Sequence, residues 1–320
     1  MSAYSALALP EDFLHRFNQI VPQHTIAECL HSFSLPTTVV LKVNTLKTDS
    51  KTLMSELSRA GFTFKPLPWY PDCFISSKQQ LKSLKESDAY CLGKFSLQNP
   101  SSLLAVLALS PQPGEEILDL GAAPGYKTLQ MACAMNNRGR IAAIEIVKQR
   151  YYKLKTMLNT YGVENTHPQF KDGGKIWKYS REQFDKVLLD APCSHEAGFR
   201  DFNPATYKYW SINKITEMQS KQRRLLFSGV QCLKPGGFLI YTTATYAPEE
   251  NECVINRILE KFSNSLRIEP IELPINNIQA GLCQWNDTPL DPALAHAVRI
   301  LPTKSMEGFF MCKIRKVNKL

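Results

Sequence analysis

Between residues 116 and 243, short apolar strands alternate with longer helical stretches, and that order restricts the chain to one architectural class. EILDLG at 116–121 reads as a strand running into a small-residue loop, and 128–135 has helical spacing. A second strand over 140–146 is followed by a helix over 148–161, and FDKVLLD at 184–190 is a third strand. A long helix over 213–232 leads through Pro235-Gly236-Gly237 into a strand over 238–243. Crossovers of this length join parallel neighbours and place helices on both faces. The expected fold is α/β, a doubly wound, mainly parallel Rossmann-like sheet behind a small α+β N-terminal domain.

That first domain is expected over 1–95, and the sheet domain over 96–320. Helices are expected over 10–17 and 25–33, and the β-branched run TTVVLKVN at 37–44 is a strand. Leu53, Leu57 and Ala60 give a helix over 50–60 that Gly61 stops, before a strand over 62–67. Lys42, Lys47, Lys51, Arg59 and Lys65 surround this β-α-β unit. It is either a module that contacts nucleic acid or a structural cap with a solvated basic face.

The formal net charge of +9 and pI near 9.0 favour a polyanionic partner, since basic side chains displace counterions from phosphates. Nine cysteines, at 29, 73, 91, 133, 193, 232, 253, 283 and 312, include no Cys-x-x-Cys pair. Structural zinc and a disulfide framework are not expected, and a reducing cytoplasm is the expected setting. The first residues carry no basic leader, and no run approaches the roughly 18 apolar residues of a membrane span.

Ligands of such sheets bind beyond the carboxyl ends of the strands, where strand order reverses. The first strand here ends in Asp119-Leu120-Gly121-Ala122-Ala123-Pro124-Gly125-Tyr126-Lys127-Thr128, whose small residues let the backbone approach a ligand closely. Glu145 ends the next strand, where a carboxylate accepts hydrogen bonds from two ribose hydroxyls. The loop fits neither G-x-G-x-x-G nor the Walker pattern, so the expected ligand is a nucleoside cofactor other than a nicotinamide dinucleotide or ATP.

Several segments, taken together, resemble the Sun family of RNA cytosine-5 methyltransferases. They are KVNTLK at 42–47, QNPSS at 98–102, LDLGAAPGYKT at 118–128, DAPCS at 190–194 and YTTATYAPEENE at 241–252. RILP and GFFMCKIRK follow between Arg299 and Lys316, in the family's order. The resemblance implies S-adenosylmethionine as cofactor and RNA as partner, ribosomal RNA first and transfer RNA second. Its implied cofactor set is Gly121, Ala122, Ala123, Pro124, Gly125, Tyr126, Lys127, Glu145, Arg150, Asp172 and Asp190. Within it, 121–127 would hold the methionine end, Glu145 the ribose and Asp172 the adenine, with Asp190 beside the transferred methyl and the target base.

Carbon 5 of cytosine is too weak a nucleophile to take a methyl group unaided. In the chemistry the resemblance implies, a thiolate adds to carbon 6, the resulting enamine attacks the methyl, and a base removes the carbon-5 proton. The ring must be exposed, so the target is single-stranded or flipped out. Family members use two cysteines, a nucleophile in Thr-Cys and a second, in Pro-Cys, that assists release. The second is present as Cys193, but the first falls on Ala244, which has no thiol. Three accounts remain open. The chain is a deliberate cysteine-to-alanine variant, a natural protein that binds cofactor and RNA without turnover, or one in which Cys193 itself attacks.

Smaller departures are Tyr126, where glycine is commonest and where the added bulk is expected at the cofactor mouth, and His195-Glu196-Ala197-Gly198 in place of a shorter turn. His195 is either a group that tunes Cys193 or an exposed loop residue. An amino-group methyltransferase would want a second proline and an aromatic residue where DAPC has neither. The stretch 199–210, with Arg200, Tyr207, Lys208 and Tyr209, is either an RNA border or core, and Lys221, Arg223 and Arg224 either touch phosphates or form a solvated helix face. With only a short tail after Lys316, RNA specificity is expected from the N-terminal block or the loops. A monomer without metal is expected.

Overall fold

The computed structural model describes residues 8–319, so most of the N-terminal stretch read above lies outside the described residues. Helix α1 (Glu11–Ile20) buries Phe13, Leu14, Phe17 and Ile20 along one stripe, and α2 (Ile26–Ser32) buries Cys29 and Leu30. Both pack on later parts of the chain, in a cluster with Phe199, Tyr246, Trp285 and Leu301. The Phe13 and Phe199 rings are 4.9 Å apart, and Phe17 meets Tyr246 edge-on at 4.8 Å.

A small sheet follows, from β1 (Val39–Val43), α3 (Ser50–Arg59), β2 (Phe64–Pro66), β3 (Cys73–Ser76), α4 (Leu81–Glu86), α5 (Asp88–Cys91) and β4 (Phe95–Gln98). Its order is β2-β3-β1-β4, and every neighbour is antiparallel. β3 therefore splits the expected β-α-β unit by pairing between its two strands. Asp49 caps α3 by accepting from the Thr52 N–H at 2.9 Å. Asn44 and Lys47 bolt this sheet to its neighbour. The Asn44 amide donates to the carbonyls of Gly93 (2.7 Å) and Tyr161 (2.8 Å), and Lys47 Nζ to those of Leu92 (2.7 Å) and Thr160 (2.6 Å). Lys42 is buried over the Tyr70 ring. Two of the five basic residues around this unit are thus structural, whereas Lys51, Arg59 and Lys65 are exposed.

The large sheet is built from α6 (Pro100–Leu109), β5 (Glu116–Leu120), α7 (Tyr126–Ala134), β6 (Arg140–Glu145), α8 (Lys148–Thr160), β7 (Thr166–Phe170), β8 (Phe184–Asp190), α9 (Ile212–Cys232) and β9 (Leu233–Thr243). Then come α10 (Glu252–Lys261), β10 (Leu266–Glu269), β11 (Ile278–Ala280), the hairpin β12 (Gln284–Trp285) and β13 (Thr288–Pro289), β14 (Val298–Ile300) and β15 (Phe309–Lys316). The order β11-β14-β15-β9-β8-β5-β6-β7 is parallel from β9 to β7 and antiparallel from β9 outward, and β10 pairs with β15. Alternate side chains face opposite ways. Leu118, Val187, Leu189, Leu239 and Tyr241 meet Leu226 and Val230 of α9 and Ile255 of α10 on one side. Ile117, Leu188, Ile240 and Met311 meet Leu104 and Leu109 of α6 and Met131 of α7 on the other. Both faces are covered, as a parallel sheet requires. Strand order reverses at β5, which opens a crevice between β5 and β8.

Candidate active site

A cavity of about 840 Å³ fills that crevice, at the carboxyl ends of β5, β6, β8 and β9. The loop after β5 enters it through Gly121 (φ +81°), whose N–H and that of Ala122 both donate to the Ile144 carbonyl at 3.1 Å. A Cβ on Gly121 would stand 2.9 Å from the Asp190 carbonyl oxygen, so only glycine lets β5 and β8 approach here. Asp119, beneath the loop, accepts from Thr128 Oγ1 at 2.6 Å, and burial pushes its carboxyl up to about 7.

Glu145 is 3% exposed, and its Oε1 accepts from the Val147 N–H at 2.8 Å. Its Oε2 is buried with no hydrogen-bond partner, 3.5 Å from Arg150 Nε. Arg150 also donates to the Ala123 carbonyl at 2.5 Å. On the far wall, Asp172 accepts from the Gly174 N–H (3.0 Å) and from Arg224 (3.1 Å). Asp190 is held by Lys127 Nζ at 2.8 Å and by Thr242 Oγ1 at 3.0 Å.

The inner corner joins two loops, one after β8 and one after β9. The backbone N–H groups of Ala244 and His195 donate to the Cys193 sulfur. Burial nevertheless pushes that thiol up to about 12, with Glu250 adding to the rise. The Ala197 N–H donates to the Ala244 carbonyl at 3.1 Å, and Ser194 Oγ and Thr245 Oγ1 are hydrogen-bonded at 2.8 Å. Glu196, buried, takes three donors: Trp210 Nε1 (2.9 Å), Thr245 Oγ1 (2.8 Å) and the Tyr246 N–H (2.9 Å). Two loops separated by about fifty residues are therefore clamped, and Ala244 lines the same cavity as Cys193.

Most sequence-read positions meet at this cavity: Gly121, Ala123, Pro124, Lys127, Glu145, Arg150, Asp172, Asp190, Cys193, His195 and Ala244 line it. Ala122 and Gly125 shape the loop without lining it. Tyr126 is not at the cofactor mouth as expected. It starts α7, turns away and lines a separate groove with Tyr90. His195 reaches Cys193 through its main chain, while its side chain is exposed at the rim. Arg200 and Tyr207 are not at an RNA border. Arg200 is buried, bonded to Glu307 and Thr37, and Tyr207 packs with Phe199. Lys208 and the 79%-exposed Tyr209 remain outside, as does Arg223. Lys221 and Arg224 border the cavity, paired with Glu217 and Asp172. Asn99, Ser101, Glu307, Gly308 and Phe309 also line it without having been singled out, although QNPSS and GFFMC contain four of them. Among the described residues no group of three or more His, Cys, Asp or Glu could hold a metal ion, and no helix is long and apolar enough to cross a membrane.

Residues 106–315 match the profile described as 16S rRNA methyltransferase RsmB/F. The chain belongs to the RsmB/F family. The Ribosomal RNA small subunit methyltransferase F of Vibrio campbellii is 32% identical over 314 residues, covering 97% of this chain. The chain spans 64% of the length of that relative. A methyltransferase homolog protein from Pyrococcus horikoshii, solved by crystallography, superposes with a TM-score of 0.82 at 32% identity, covering 96% of this chain and 95% of its own. NSun6 from the same organism, solved with SFG, shares the fold at a TM-score of 0.81 and 21% identity, covering 97% of this chain and 99% of its own. The Sun-family resemblance and the Rossmann-like methyltransferase fold read from this RsmB/F-family sequence both stand.

Proposed function

We propose that this chain holds S-adenosylmethionine and an exposed RNA cytosine in the one cavity, and that methyl transfer to carbon 5 is blocked for want of a thiol at position 244. The carrying observation is that one cavity joins the glycine loop and Glu145 to the Asp190, Cys193 and Ala244 corner. The residues fit the cofactor. The orphan Oε2 of Glu145 is a free acceptor for a ribose hydroxyl, and the bare backbone at Gly121 admits a ligand at van der Waals distance. Arg150 is paired with Glu145 and Lys127 with Asp190, and on this reading Asp172 would meet the adenine and Asp190 the base. When bound, the cofactor supplies an electrophilic methyl on a sulfonium.

Ribosomal RNA is the first substrate to test and transfer RNA the second, in a cytoplasmic setting and with the chain acting as a monomer. The acidity of Cys193 bears on the nucleophile. Burial pushes its thiol up to about 12, which disfavours the thiolate at neutral pH, and for that reason we read Cys193 as the second cysteine rather than as the attacking one. It is suited instead to hold and move a proton beside the ring.

The test is transfer of labelled methyl to unmodified ribosomal and transfer RNA by the chain as it stands and by Ala244→Cys. Transfer by the cysteine variant alone is expected. Equal transfer by both overturns the assignment of position 244, and silence in both, with cofactor and RNA still bound, selects a binding protein with a methyltransferase fold.

A further inference from the structure

A second groove, of about 610 Å³, lies on the opposite side of α8 from the cofactor cavity, where the small sheet meets the large one. Its walls hold Tyr90 and Tyr161 at the seam, Tyr126 at the start of α7, and Tyr152 with Lys153 on α8, with Lys85 across the opening. None of its lining residues is acidic. α8 itself carries Lys148, Arg150, Lys153 and Lys155 and no carboxylate. Tyr126 and Tyr90 are half-buried in its wall, while Tyr152 is 55% exposed and available to stack. The groove and the site meet only along the chain: Tyr126 lines the groove, and the next residue, Lys127, holds Asp190 in the cavity.

We propose that this groove holds an unpaired nucleotide of the RNA that flanks the target cytosine, its base stacked on Tyr152 and Tyr126 and its phosphates met by Lys85 and Lys153. The inference rests on the RNA reading above and adds a second contact to it. Aromatic rings bind any base face, and exposed lysines at a groove that no carboxylate lines favour phosphate over an acidic or apolar protein surface.

Two exposed cysteines provide the reporter: Cys91 opens on this groove, and Cys283 precedes β12 elsewhere. Alkylation of the full chain by a maleimide would be followed by mass spectrometry, with and without a short single-stranded RNA whose binding is measured by fluorescence anisotropy. Binding that slows modification of Cys91 and leaves Cys283 unchanged is expected. Tyr152→Ala with Lys153→Gln should weaken RNA binding about tenfold or more and leave S-adenosylmethionine binding unaltered. RNA binding with Cys91 still fully reactive, or with the double variant unimpaired, overturns the groove and spares the functional reading. Failure of the parent chain to bind any RNA overturns both.

Discussion

Glu250 offers a direct measure of how dry the inner corner is. The residue is 0% exposed, and its Oε2 accepts from the Ser194 N–H at 3.0 Å and from Gln222 at 2.7 Å. Its Oε1 is buried without a partner. Burial outweighs both donors and pushes the carboxyl from 4.5 up to about 7. A carboxyl raised on folding keeps a proton that the unfolded chain releases. Its contribution to stability is therefore complete below about pH 4.5 and is lost as pH rises to about 7. That interval is worth about 3 kcal/mol, most of it falling between pH 5 and pH 8. Glu250→Gln keeps an acceptor for Ser194 and cannot ionise. In urea unfolding, the stability of the variant relative to the parent should rise by about 2–3 kcal/mol from pH 5 to pH 8. Asp119, also raised to about 7, tilts both curves alike and cancels in the difference. Parallel curves for parent and variant would refute the reasoning and mean that Glu250 ionises in the fold as it does in water.

Glu145→Gln should weaken S-adenosylmethionine binding about tenfold or more by calorimetry, because the orphan oxygen loses its charge toward the ribose hydroxyl. Unchanged affinity would remove Glu145 from the site. Gly121→Ala places a Cβ 2.9 Å from the Asp190 oxygen at φ +81°, so a loss of about 1–3 kcal/mol in stability is expected, read as a lower Tm. An unshifted Tm would show that the β5 and β8 loops yield at no cost.

The parallel half of the sheet was legible because each of its main strands is a run buried on both faces. FDKVLLD occupies 184–190 as expected, and EILDL and RIAAIE differ by one residue at their ends. β7, THPQF, escaped notice because an edge strand is polar and here carries Pro168. α6 has no amphipathic stripe, being almost wholly apolar between the sheet and α7. The position of α1 and α2 was not legible either, since their apolar stripe states that something covers it but not which surface does. In the site, motif letters located the acids and the thiol, yet the roles of Glu196 and Tyr126 depend on direction. One buries its carboxylate between two loops, and the other turns out of the cavity its neighbours line.

That difference bears on what a change of side chain at position 244 would do to the shape of the site. Every contact that position 244 makes in the clamp is through the main chain: its N–H to the Cys193 sulfur and its carbonyl to the Ala197 N–H. The neighbours that hold it, Thr245 and Tyr246, are anchored on Glu196, and Ser194 on Glu250. None of these bonds involves the side chain at 244, so exchanging alanine for cysteine there removes none of them and places a thiol on a residue that lines the cavity. An intact architecture is therefore no measure of turnover in this chain. The same argument is why Ala244→Cys is a clean experiment: the side chain it introduces meets a backbone already placed, with Cys193 beside it and Asp190 held by Lys127 across the same cavity.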